Sequence, residues 1–193
     1  ELRIYDPFYC AGTCVKHLAA VGFTSVYNRC EDFYAVRRAG EIPAHDIVVT
    51  NPPYSGEHPE RLLRWCRENG KPFALLMPNY FIAKPYYRDA LSVTRTAAGA
   101  RVQTHGSAAS VAYLVPRRRY NYWTPRGLRA RAQVQAHHVS SDGAYRTSPF
   151  VSFWYVDLHP VLPQRALFKW WSENGGRRRL DRAAMRAAGG SKS

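Results

Sequence analysis

Ile47-Val48-Val49-Thr50-Asn51-Pro52-Pro53-Tyr54 is the stretch from which the rest of this chain is read. Its first half is a short apolar, β-branched run that forms a buried strand, and Asn-Pro-Pro-Tyr then stops that strand abruptly. Each proline fixes φ and lacks an amide donor, so the turn is stiff and offers carbonyl oxygens without competing N–H groups. The side-chain oxygen of Asn51 and the carbonyl of Pro52 can each accept a hydrogen bond from a planar NH2 group, with Tyr54 stacked on the ring or amide that carries it.

Outward from that strand, the pattern alternates. Leu2–Tyr5, Ser25–Asn28, Asp46–Thr50 and Phe73–Met77 read as strands, and Thr13–Val21, Glu60–Asn69 and Tyr86–Leu91 read as helices, the first two closed by Gly22 and Gly70. Further strands are expected at Val111–Val115 and Phe150–Val156. Short apolar strands alternating with helices predict an α/β fold whose mostly parallel central sheet has helices on both faces.

Polar residues recur where these strands end. The first strand runs into Asp6-Pro7-Phe8-Tyr9-Cys10-Ala11-Gly12-Thr13, where an acid and a glycine at a helix start suit close approach of a ligand. With a single glycine and no Gly-Lys-Ser/Thr, neither a dinucleotide fingerprint nor a phosphate loop is present. Taken alone, the turn reads equally as a cofactor site or an ordinary connection. The next strand ends at Asn28, followed by Glu31-Asp32-Phe33-Tyr34. In an open parallel sheet Asp6, Asn28, Asp32 and Asn51 would line one crevice at the carboxyl ends of the strands, where such sheets bind ligands. Asn79, after Leu76-Met77-Pro78, reads as a second pocket residue or as a turn cap.

Composition bounds the rest. A chain of 193 residues with 46% apolar and 13% aromatic residues can bury a core as one main domain. It has no apolar run long enough to span a bilayer and no signal-peptide pattern, and it opens almost directly on a strand, as a trimmed piece would. The four cysteines, Cys10, Cys14, Cys30 and Cys66, lack paired Cys-x-x-Cys spacing. Reduced thiols in an intracellular protein are therefore expected, and no metal site. His137 and His138 read as solvated loop residues.

The net charge of +14 is one-sided. Residues 1–91 carry 11 Lys and Arg against 10 Asp and Glu, whereas residues 92–193 carry 17 against 4, a net +13 in the second half. Such an excess predicts a polyanion partner, and nucleic acid is the first candidate. Between the last two strands, a basic insert at about 117–147 holds Arg117, Arg118, Arg119, Tyr120, Tyr122 and Trp123, a mixture of cations and rings suited to backbone contact and base stacking. Residues 161–193 read as a basic C-terminal extension, in part disordered, with Phe168, Trp170 and Trp171 docking it onto the core.

Asp6-Pro-Phe-Tyr-Cys-Ala-Gly12-Thr13, Glu31-Asp32-Phe33-Tyr34 and Asn51-Pro-Pro-Tyr54-Ser55, in that order and at strand ends, resemble the successive motifs of S-adenosylmethionine-dependent methyltransferases acting on exocyclic amines, especially adenine N6. The resemblance covers about residues 1–115. It implies a Rossmann-like methyltransferase fold over residues 1–160 with a C-terminal antiparallel strand. By the same resemblance, Asp6, Phe8, Gly12 and Thr13 hold the methionine end of S-adenosyl-L-methionine, Asn28 holds the ribose, and Asp32 and Phe33 contact the adenine ring. Asn51, Pro52 and Tyr54 would be the catalytic residues. Ala11 stands where a glycine is common, Asn28 where many relatives carry an acid, and the short Ser25–Thr50 stretch implies an abbreviated strand-helix unit.

The reaction so implied is in-line displacement at the cofactor's methyl. The amine's lone pair is delocalised into its ring, so acceptors on both N–H groups favour a pyramidal, more nucleophilic nitrogen, and the remaining help is positioning. A base in a duplex would have to be flipped out to reach Tyr54. Adenine N6 in RNA, ahead of DNA, is the expected substrate, with a protein partner for recognition also in view. Two competing readings are a protein glutamine-N5 methyltransferase and a catalytically inactive methyltransferase-fold scaffold in a ribonucleoprotein.

Overall fold

A computed structural model describes residues 1–95, 101–103, 111–115 and 151–174. The chain opens with β1 (Ile4–Tyr5), α1 (Thr13–Ala20), β2 (Val26–Tyr27), α2 (Phe33–Ala39), β3 (Ile47–Thr50), α3 (His58–Asn69) and β4 (Phe73–Pro78). A 3-10 turn at Asn79–Ala83 leads to α4 (Pro85–Ser92), and β5 (Val93–Arg95) pairs with β6 (Arg101–Gln103) as a separate antiparallel hairpin. β7 (Ala112–Leu114), β8 (Ser152–Asp157) and α5 (Gln164–Asn174) complete the described residues.

Six strands form one mixed sheet in the order β2-β1-β3-β4-β8-β7. β2, β1, β3 and β4 run parallel, and β8 lies antiparallel between β4 and β7. From β1 the chain moves outward to β2, then crosses back to place β3 on the other side of β1. The strand order therefore reverses between β1 and β3, and open α/β sheets bind ligands beyond the carboxyl ends of the strands at such a reversal.

Alternation along the strands divides the core between the two faces. Phe73, Leu75 and Met77 of β4, with Phe153 and Tyr155 of β8, pack with Leu62, Leu63, Trp65 and Cys66 of α3 and Tyr87, Ala90 and Leu91 of α4. Ala74, Ala112, Trp154 and Val156 turn the other way and meet Leu167 and Phe168 of α5. The helices α2 and α3 lie together, with the ring centroids of Phe33 and Trp65 4.9 Å apart and an Arg37–Glu68 ion pair at 2.9 Å. Arg67 of α3 forms a buried ion pair with Asp157 of β8, whose other carboxyl oxygen accepts from the His159 amide at 3.0 Å. This arrangement satisfies both oxygens of an acid that is 3% exposed.

The abbreviated Ser25–Thr50 stretch holds one helix, α2, with no further strand between β2 and β3: Asp32 caps the helix by accepting from the Tyr34 amide at 2.9 Å, and Gly40 closes it at φ 75°. Beyond β8, α5 buries Leu167 against β7 and β8. Phe168 does pack there, but Trp170 is 55% exposed and faces outward. Arg117, Arg118, Arg119, Tyr120, Tyr122, Trp123, His137, His138 and the basic tail after residue 174 lie outside the described residues. Among the described residues no helix is long and apolar enough to cross a membrane, and the four cysteines are free.

Candidate functional site

Asp6 ends β1 and is 5% exposed. Its Oδ1 accepts a 2.6 Å hydrogen bond from the Thr50 hydroxyl at the end of β3 and a 3.3 Å bond from the Phe8 amide. Burial pushes its pKa upward, and the bonds from Thr50, Cys14 and Phe8 work against that shift by favouring the carboxylate. The Cys14 thiol is itself pushed up to about 12, by burial first and then by the Asp6 charge beside it.

Asn28, at the end of β2, turns its side chain towards the same point. Its Nδ2 donates to the Asp6 carbonyl at 3.2 Å, whereas its Oδ1 is buried and has no hydrogen-bond partner. An orphaned acceptor inside a protein forfeits a hydrogen bond that water would have supplied, which makes it a ready partner for a ligand hydroxyl or amine. A shallow crevice with almost no interior volume, at the carboxyl ends of β1 and β2, is lined by Tyr5, Asp6, Pro7, Tyr27, Arg29, Glu31 and Phe33. The Tyr27 hydroxyl donates to Glu31 at 3.0 Å, and the Arg29 guanidinium lies 4.8 Å from the Tyr27 ring centroid. The sequence does not single out Tyr27, Arg29 and Glu31 for this role; their position at and just after the end of β2 is the available signal.

Gly12 begins α1 at φ 70°, a conformation side-chain-bearing residues rarely adopt. A Cβ there would lie 2.9 Å from the Tyr9 ring, so the turn's close approach is filled by the chain's own tyrosine. Thr13 follows on the exposed first turn of α1. Phe8 is half-buried and packs against Phe33, Tyr34 and His58. Asp32 is exposed and occupied with capping α2, and Phe33 is 2% exposed, a core ring that also lines the crevice wall.

One residue beyond Thr50, Asn51 is exposed at the carboxyl edge, while Pro52 is buried. The half-buried Tyr54 donates its hydroxyl to Asn51 Oδ1 and also lies 3.1 Å from the Leu76 carbonyl of β4. The Tyr54 hydroxyl therefore ties the motif to the neighbouring strand and pre-orients Asn51. A carbonyl oxygen has two lone pairs, so one acceptor position on Asn51 stays open to an incoming N–H. Asn79 begins the 3-10 turn on the same edge, with its amide held by the Val151 carbonyl at 2.7 Å.

The structure thus brings Asp6, Phe8, Gly12, Asn28, Phe33, Asn51 and Tyr54 to one edge of the sheet, around the reversal of strand order. No family model, curated protein or solved structure matches the chain. Among the described residues no cluster of three or more His, Cys, Asp or Glu stands in a metal-holding arrangement.

Proposed function

We propose that this chain is an S-adenosylmethionine-dependent methyltransferase that modifies an exocyclic amino group of a nucleic acid, adenine N6 in RNA being the first candidate. The observation that carries the reading is the placement of Asn51 and the unsatisfied Asn28 acceptor on one sheet edge, either side of the Asp6–Thr50 bond. One half of that edge suits a polar cofactor with hydroxyl groups; the other suits a flat amine. The antiparallel β8 between β4 and β7 supports the methyltransferase variety of the α/β fold, which carries such a strand near its C-terminus.

On this reading Asn28 accepts from a ribose hydroxyl, and the Gly12 turn would approach the methionine end of the cofactor, which supplies the methyl group when bound, once the Tyr9 ring is displaced. Asn51 Oδ1 would accept one N–H of the target amine and the Pro52 carbonyl the other, which would orient the nitrogen lone pair away from both acceptors. The Tyr54 ring supports the base from one side. The bound cofactor would supply the methyl group; the methylated nitrogen would carry a positive charge and lose its proton to solvent, so this chain would need no dedicated base. Catalysis comes from orientation and from dipoles already aimed at that nitrogen. The net +13 of residues 92–193 supports a polyanionic substrate.

Transfer of labelled methyl to RNA and DNA pools, compared with Asn51→Ala, tests the reading. Label above the variant in the RNA pool is expected, and no label above it in either pool overturns the proposal. The Tyr9 ring seated over the Gly12 turn favours a second reading, a scaffold that has lost turnover. Equilibrium titration separates the two, because a scaffold binds RNA without binding S-adenosylmethionine.

A further inference from the structure

The turn between β1 and α1 carries an aromatic side chain with no part in the chemistry above. Tyr9 folds back over Gly12: three atoms at the far end of its ring lie 2.9 Å from the place of an added Cβ, and its carbonyl accepts from the Gly12 amide at 2.8 Å. The ring thus covers the start of α1, whose Gly12 cap offers the first-turn amides no side-chain acceptor. Little holds it there. Among the described residues the Tyr9 hydroxyl has no hydrogen-bond partner, the ring belongs to neither buried cluster, and the residue is 37% exposed. Its neighbour Phe8 is held differently, against Phe33, Tyr34 and His58. The backbone beneath the ring is also unrelaxed. Cys10 stands at φ 50°, the non-glycine in left-handed backbone among the described residues, two positions before Gly12 at φ 70°.

From this arrangement we infer that Tyr9 is a displaceable cover on the Gly12 turn, which swings outward when the cofactor enters. The inference rests on the cofactor reading above and adds a control to it: the chain's own ring closes the turn until ligand replaces it. Ring and ligand compete for one surface. Moving the ring forfeits its contact with Gly12, but it breaks no side-chain hydrogen bond and opens no gap in either buried cluster. Glycine at position 12 makes the cover possible, because any Cβ there would meet the ring. Two observations beside the turn fit a closed form of the site. The crevice next to Asp6 has almost no interior volume, and Asn28 Oδ1 is buried without a partner. A site open for part of the time binds with that fraction of its intrinsic affinity, so removing the cover tightens binding without adding a contact.

Calorimetric titration of the full chain with S-adenosylhomocysteine, beside fluorine NMR of protein carrying fluorotyrosine, tests this. The resonance absent from Tyr9→Phe identifies Tyr9. In the parent protein that resonance is expected to move towards the position of free fluorotyrosine as ligand is added, a readout independent of how well any other variant folds. Tyr9→Ala is expected to bind about 3- to 10-fold more tightly than the parent, the gain for a site that its cover leaves open roughly a tenth to a third of the time. Tyr9→Phe is expected to bind as the parent does, because the lost hydroxyl has no partner. Binding by Tyr9→Ala alone also supports the cover. Equal or weaker binding by Tyr9→Ala than by a parent that binds, or a Tyr9 resonance that saturating ligand leaves in place, overturns the cover while the cofactor reading stands. Binding by neither protein overturns both.

Discussion

The Thr50 hydroxyl donates a 2.6 Å hydrogen bond to the buried carboxyl of Asp6, tying the carboxyl ends of β3 and β1 together where the strand order reverses. Asn51 follows Thr50 directly, so the bond also sets where the acceptor motif leaves the sheet. Thr50→Val keeps the shape and removes the donor from a carboxyl that is 5% exposed. A loss of about 1–3 kcal/mol in urea unfolding is expected, and Thr50→Ser should recover most of it. The Asp6 pKa should rise further in Thr50→Val, because the lost bond favours the charged form.

Gly12 carries a conformational and a steric requirement that can be separated. Gly12→Ala places a methyl in left-handed backbone, at about 1–2 kcal/mol, and also presses it against the Tyr9 ring. In a Tyr9→Ala background the collision disappears and only the backbone cost remains. A double-mutant cycle by denaturant unfolding should therefore show a smaller Gly12→Ala penalty in that background.

Asn28 is the sharpest probe of the cofactor half of the site. Its Oδ1 is buried without a hydrogen-bond partner. Calorimetric titration of Asn28→Ala with S-adenosylmethionine should show affinity reduced by about 2- to 10-fold, the value of one hydrogen bond. Equal affinity in parent and variant would remove Asn28 from the cofactor site.

His45, 2% exposed, links stability to pH. Its Nε2 lies 3.0 Å from the Asn69 amide nitrogen, which can only donate, so Nε2 is the unprotonated acceptor and Nδ1–H donates to the Pro43 carbonyl at 2.7 Å. Burial lowers the folded pKa below the ordinary 6.5. As pH falls below 6.5 the unfolded chain takes up a proton that the folded chain resists, so stability is present above that pH and declines below it, until the folded pKa is reached. Unfolding midpoints measured from pH 7.5 to 5 should fall in the parent and show a shallower dependence in His45→Gln.

Much of the edge was legible because each strand announces its own end. The prolines after Asn51 and the Asp-Pro after Tyr5 stop their strands by removing amide donors, a local effect visible in sequence. The helix α2 was equally encoded, by Asp32 as cap and Gly40 as terminator, but its seven residues carry too little periodicity to stand out. Tyr9, Tyr27, Arg29 and Glu31 carry no local signal of their roles beyond their place at a strand end. Their importance depends on which ring or turn they meet in space.

The sequence alone determined the alternation of strands and helices, the stiff acceptor turn at Asn51–Tyr54 and the basic second half, because propensity, proline chemistry and charge belong to residues one at a time. Tertiary structure alone decided that β3 lies against β1, that Thr50 holds Asp6, and that Asn28 keeps an unpaired acceptor. Those relations join residues far apart in the chain, and they exist only once burial of both sheet faces has fixed the order of the strands.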